Sequence, residues 1–277
     1  MDPSEIFDRN ARIRARDRAA HTGGDSDFVR DHMMSGIVER IEAIDRDFAD
    51  ILDIGAWRGG FAWNGASIVR IDAGDAFARL NGGIRMEEDR LALGEAQFDL
   101  VISAASLDQV NDLPGALTLI RRALRPGGMF VAAFLGAGSL SALRHALRIA
   151  EPEPPAPRLH PQIDVRSAGD LLTRAGFADP VADNETMAVR YSNLARLIAD
   201  LRGMAATNLL HSRRPMRRDI LARATDAFGT LADPDGKTPE RFEIVYMTGF
   251  APDPSAKPHS RGGRTFAAIT AGLPPKD

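Results

Sequence analysis

The chain has no cysteine among its 277 residues. That absence excludes disulfides, a thiolate nucleophile, iron–sulfur clusters and cysteine-type zinc sites, and it fits a reducing compartment. No stretch approaches the roughly 20 consecutive apolar residues of a membrane span. The start of the chain, with Asp2 and Glu5, lacks the apolar region of a secretory signal. The expectation is a soluble, cytoplasmic protein with no integral membrane segment. Neither sign of charge is in large excess. A net charge of -3 gives no global attraction to nucleic acid or an anionic surface. What is present is ordinary for a globular protein: 44% hydrophobic and 26% charged residues, enough to bury one full core with an elaboration.

In chain order, residues 4–20 read as a basic helix carrying Arg9, Arg12, Arg14, Arg16 and Arg18. Such a charge run is usually a solvated face at a domain edge, with a substrate lid or partner arm as the alternative. A second helix, 28–44, sets Val29, Met33, Ile37, Ile41 and Ile44 at helical spacing. From Asp50 onward short apolar strands alternate with helices. Strands are expected at 51–55, 67–72, 83–87, 98–104 and 128–134, and helices at 114–124, 139–149 and 167–175. Two further strands, 180–191 and 242–250, bracket helices at 193–204 and 215–231. This alternation predicts an α/β fold, a doubly wound, mostly parallel seven-stranded sheet. The expected domains are N-terminal helices over 1–49 and a sheet domain over 50–251. The sheet domain carries a helical insertion at 192–240 before the last strand, over one end of the sheet. A disordered tail is expected at 252–277.

Open parallel sheets bind ligands beyond the carboxyl ends of their strands, so the strand ends are the candidate site. Asp53 closes the first strand ahead of a turn holding Gly55, Trp57 and Gly59. Asp72 closes the second, at the distance in sequence from which a carboxylate reaches a ribose. Glu87 and Glu88 close the third, and Ser103 closes the fourth, ahead of Asp108 and Gln109. Each acid also reads as a strand-to-helix cap, a turn residue or solvated charge. Only residues 60–66 separate the turn from the second strand, so a first helix of one or two turns is expected. The six histidines are scattered, and His160-x-x-x-Asp164 reads as a proline-flanked loop, so no metal site is assigned.

Several motifs carry a family resemblance. Asp53-Ile-Gly-x-x-x-Gly59, Phe98-Asp-Leu-Val-Ile-Ser103, Val110-Asn-Asp-Leu-Pro114 and Leu124-Arg-Pro-Gly-Gly128 resemble class I S-adenosylmethionine-dependent methyltransferases. The stretches Ile6-Phe-Asp-Arg9, Arg174-Ala-Gly-Phe177, Asp200 to Asn208 and Ile244 to Gly249 narrow the likeness to one family. It is that of the methyltransferase-fold assembly factors of respiratory complex I, with carrier-protein methyltransferases more distant. The resemblance implies a Rossmann-like methyltransferase fold, S-adenosylmethionine as cofactor, and hydroxylation of an arginine on a complex I subunit. It places Asp53, Gly55 and Gly59 around the methionine part, Asp72 at the ribose, Glu87 at the adenine and Ser103 near the sulfonium; Trp57, in the same turn, is a further cofactor-binding candidate. No catalytic residue is assigned; Asp108 and Tyr191 are the candidates. Ala56 and Trp57 depart from the family's glycine-rich turn, and Asp108-Gln109 from its His-Trp. A small-molecule or carrier-protein methyltransferase, and a non-catalytic assembly chaperone with an altered cofactor site, remain open.

Overall fold

The computed structural model describes residues 5–22, 24–151 and 155–255. The expected tail lies outside them from residue 256 onward. Two helices, α1 (Arg9–His21) and α2 (Phe28–Glu42), precede the sheet. There follow β1 (Asp50–Ile54), β2 (Ser67–Asp72), α3 (Asp75–Leu80), β3 (Ile84–Arg85), β4 (Phe98–Ala104), α4 (Leu113–Ala123) and β5 (Leu124–Leu135). Next come α5 (Ser141–Ala150), α6 (Val165–Ala175), β6 (Ala178–Tyr191), α7 (Leu194–Gly203), α8 (Arg218–Gly229) and β7 (Thr238–Phe250). The sheet has seven strands in the order β3-β2-β1-β4-β5-β7-β6, and β7 runs antiparallel to both its neighbours.

Side-chain alternation along the strands builds a core on each face. Ile51 of β1 and Leu100, Ile102 and Ala104 of β4 pack with α2, α5, α7 and α8. Leu52, Ile54 and Val101 face α4 and α6 on the other side. Asp53 therefore shares the α2 face with Ile51, while Ser103 shares the opposite face with Val101. The strand order reverses between β1 and β4, which makes their carboxyl ends the ligand-binding crevice of such a sheet.

Two expectations change. There is no helix between β1 and β2. Gly55 N and Ala56 N both donate to Ile71 O, at 2.9 and 3.1 Å, so the chain stays along β2 instead of turning into a helix. Gly55, Gly59, Gly60 and Gly65 all take positive φ, which a right-handed helix does not admit. The basic first helix is not a solvated face either. Arg12 is 4% exposed and Arg16 1%. The stripe Ala11, Arg12, Ala15, Arg16, Ala19 is the buried side of α1.

The insertion reaches the same end of the sheet. Met204 and Ala206, just past α7, line a cavity at the strand ends, and Leu209 and Leu210 pack against α1. Among the described residues no helix is long and apolar enough to cross a membrane.

Candidate active site

α1 lies across the carboxyl ends of β2 and β3, and the physical reason is a match of spacings. A helix rises about 1.5 Å per residue, so Arg9, Arg12 and Arg16 stand roughly 4.5 and 6 Å apart along one stripe. Neighbouring strands are about 4.8 Å apart, close to the same interval. Arg16 Nε donates to both Asp72 oxygens, at 2.8 and 3.0 Å, and Arg16 Nη2 also bonds to this carboxylate. Gly74 N adds a fourth bond, at 2.6 Å. Arg12 holds Glu88 through two bonds of 2.6 and 2.7 Å and reaches Ser106 Oγ at 3.0 Å. Arg9 bonds Glu87 and grips Asp89 at 2.8 and 2.7 Å. The acids expected at ribose and adenine are thus all paired with α1. Burial raises the Asp72 carboxyl, and Arg16 pulls it back only in part. For Glu88 burial is more than offset by Arg12 and Ser106, which hold it below its usual value.

The turn after β1 forms the floor under α1. Trp57 is 2% exposed and stacks on Phe77 of α3 with ring centroids 4.1 Å apart. The Arg16 guanidinium lies 5.2 Å from the indole centroid. Gly55, at φ 73°, is required here, because a Cβ would come within 2.6 Å of Ser106 Cβ. Gly59, at φ 78°, faces open space. Arg58 turns back to cap α1, donating to Ala19 O and Ala20 O at 2.7 and 3.0 Å and pairing with Asp27.

Toward β4 the crevice stays partly open as a cavity of about 20 Å³, room for one water molecule. Arg30, Trp57, Asp108 and Gln109 line it. Arg30 Nε and Nη2, Trp57 Nε1, Asp108 Oδ1 and Gln109 Oε1 are buried without a protein partner. Unsatisfied donors and acceptors around one chamber suit a ligand that both accepts and donates. Burial lowers Arg30 to about 10, against the pull of Asp53. Burial likewise raises Asp53, which accepts from Phe61 N at 3.2 Å.

Burial pushes Asp108 up to about 6, while its own backbone amide and then Arg12 and Arg16 pull it down. Its folded pKa therefore lies above the unfolded 3.8. The stability linked to this shift is full below about pH 4 and is lost as pH rises through about 6. Asp108→Asn is expected to gain up to about 3 kcal/mol over wild type at neutral pH, a gain that vanishes near pH 4. Urea unfolding at the two pH values measures it. An equal effect at both would rule out titration as the cause.

The other expected residues are not gathered here. Ser103 is buried with an unpartnered hydroxyl. Tyr191 packs in the core on the α2 face and is not among the residues lining the cavity. His160 Nε2 accepts from Leu209 N at 2.9 Å, and Asp164 caps α6 by accepting from Ser167 N at 2.8 Å, so both are structural. The pairing roles of Arg9, Arg12, Arg16 and Arg58, and the place of Arg30 at the cavity, are not predicted from sequence. Arg30 did leave a signal: it precedes Met33, Ile37 and Ile41 on the apolar stripe of α2, where an ordinary core helix has no charge.

A profile described as Methyltransferase domain matches residues 56–132. The mitochondrial arginine-hydroxylase NDUFAF5 of Rattus norvegicus is 34% identical over 95% of this chain and 82% of its own length. The protein of the same name from Danio rerio is 32% identical, over 93% and 86%. The malonyl-acyl-carrier-protein O-methyltransferase of Xylella fastidiosa (strain M23) is 28% identical over 89% of each chain. In fold alone, the chain resembles the YcgJ protein of Bacillus subtilis. The TM-score is 0.51 at 12% identity, covering 80% of this chain and 99% of that one. With about a third of its residues shared with the rat and zebrafish proteins along nearly its full length, the chain belongs to the NDUFAF5 arginine-hydroxylase family, on a methyltransferase fold.

Proposed function

We propose that the protein is an S-adenosylmethionine-dependent enzyme of methyltransferase fold that modifies an arginine of a respiratory complex I subunit and so supports assembly of that complex. The observation that carries this reading is the identity to proteins named arginine-hydroxylase over 95% of the chain. The site chemistry supports it at one point. Asp108 and Gln109 offer unpartnered acceptor oxygens to one chamber, which holds a single water in the closed state and has to widen before it admits a guanidinium, an array of donors. Asp108 binds a cation only when ionised, so its pKa of about 6 predicts that substrate affinity falls below that pH. The enzyme works in the cytoplasm on a protein substrate.

S-adenosylmethionine supplies an electrophilic sulfonium and a nucleoside handle; the oxygen added to an arginine, and the oxidation it entails, would come from an external oxidant and an oxygen-activating partner. Asp53, Gly55, Trp57 and Gly59 are proposed for its methionine part, Asp72 for the ribose, Glu87 for the adenine and Ser103 for the sulfonium side. With α1 docked these residues do not fit the nucleoside. Both Asp72 oxygens accept from Arg16, and Glu87 bonds to Arg9.

The test is mass spectrometry of complex I subunits from cells with and without the gene, together with the level of assembled complex. The expected result is one arginine that carries an extra oxygen only when the gene is present. A methyl group on a carrier-bound malonyl ester would favour the second reading, for which the Xylella relative speaks. Unmodified arginines and normal complex I would overturn the proposal. Restored assembly by an Asp108→Asn variant without arginine modification would make the protein a chaperone.

A further inference from the structure

We infer that α1 and the nucleoside of the cofactor compete for one place, so that α1 is a plug that must leave before S-adenosylmethionine enters. The inference rests on the cofactor reading above and adds its regulation.

Geometry makes the competition direct. Asp72 is 0% exposed and Glu88 1%, and each has its oxygens taken by an α1 guanidinium with a further donor from Gly74 N or Ser106 Oγ. A ribose diol needs the same Asp72 oxygens. A cofactor laid beside Trp57 needs the volume in which Arg16 lies 5.2 Å from the indole centroid. Sharing is not possible here, because Asp72 already accepts three bonds from Arg16 and one from Gly74 N, which fills the roughly four acceptor positions of a carboxylate.

The interface is also of a kind that can open. The apolar part that α1 itself buries is Ala11, Ala15 and Ala19, with Phe7 just before it; no Leu, Ile or Val of α1 enters the core. Alanine methyls return little on burial. The rest of the docking is ion pairing, the Asp17 carboxylate accepting from Ala76 N at 2.8 Å, and a short backbone bridge in which Asp8 N donates to Leu209 O and His211 N to Ile6 O; desolvation offsets much of the attraction in a buried ion pair. Two latches hold the ends. Asn111 Oδ1 accepts from Phe7 N at 2.8 Å while Asn111 Nδ2 donates to Phe7 O at 3.0 Å. At the other end Arg58 caps Ala19 O and Ala20 O. Neither latch uses an acid that the cofactor needs. Trp57 then has a defined role: in the closed state it is the floor on which α1 rests, and in the open state the same face is free to lie beside the methionine part of the cofactor.

The test uses full-length protein and S-adenosylmethionine as the probe. Amide hydrogen exchange with and without it should show residues 9–21 exchanging roughly tenfold faster when the cofactor is bound, and residues 50–55 more slowly. Calorimetry on Asn111→Ala, which removes two hydrogen bonds from the plug and touches no acid, should tighten the dissociation constant by roughly tenfold. Binding to wild type with unchanged α1 exchange and an unchanged constant in Asn111→Ala would overturn the plug and leave the cofactor reading standing. No binding by wild type, Asn111→Ala or Arg12→Gln/Arg16→Gln would overturn both. Binding confined to the variants would support the plug. The exchange measurement on wild type needs no variant, so a poorly folded mutant does not remove the test.

Discussion

Arg16→Ala is expected to release α1. The substitution leaves Asp72, 0% exposed, with Gly74 N as its remaining bonded donor and with the Glu88 charge acting on it. Removing one partner of a buried pair costs about 3–5 kcal/mol, because the other charge stays desolvated. An interface of alanine methyls and one phenylalanine gives back less than that. Amide protection should therefore be lost across residues 9–21, while Leu100 to Ala104 of β4, fully covered on both faces, keep theirs. Full protection of α1 in the variant would refute the claim that Arg16 holds the helix down. Arg16→Leu combined with Asp72→Leu should recover most of the stability, since it removes both charges together.

Acid should loosen the same region through His160. This side chain accepts from Leu209 N, and Phe7 meets its ring edge-on at a centroid distance of 5.0 Å. Burial lowers its pKa from 6.5 to about 4, against a hydrogen bond that the ring donates to the Thr207 backbone and in step with Arg12. The folded pKa is the lower one, so the neutral ring is favoured in the fold. Its stabilisation is complete above about pH 6.5 and is lost as pH falls toward 4. The loss reaches about 3 kcal/mol, from 2.5 pK units at 1.36 kcal/mol each. Carboxylates titrate in the same window, so the quantity to measure is the difference between wild type and His160→Gln. Urea midpoints of the two should converge as pH falls from about 7 to 4. Parallel curves would show that His160 does not titrate as described.

The sheet was legible because its signals are local. The runs 67–72 and 98–104 are apolar strands bounded by turn residues, and their limits agree with β2 and β4. α4 is given by its amphipathic face and by Arg-Pro-Gly-Gly after it. The missing helix between β1 and β2 was less legible. Its residues form turns because the Gly55 and Ala56 amides bond to Ile71 O, a contact between strands that no local propensity encodes. α1 misled for a related reason. A row of arginines reads as a solvated face unless the acids that neutralise it are known, and those come from residues 72 and 87–89, more than 50 positions away.

The sequence by itself determined the fold, the crevice and two acids at its strand ends, Asp53 and Asp72; Glu87 and Glu88, expected to close a strand over 83–87, lie in the turn after a β3 of only Ile84–Arg85. Tertiary structure alone decided what those acids face. Whether a carboxylate meets a ribose or a guanidinium depends on where α1 docks. That is set by the match between helix rise and strand spacing, by the Trp57–Phe77 stack beneath it and by the Asn111 and Arg58 latches at its ends. Pairing across such distances in the chain is fixed by packing and charge in three dimensions, where residue order carries no local mark.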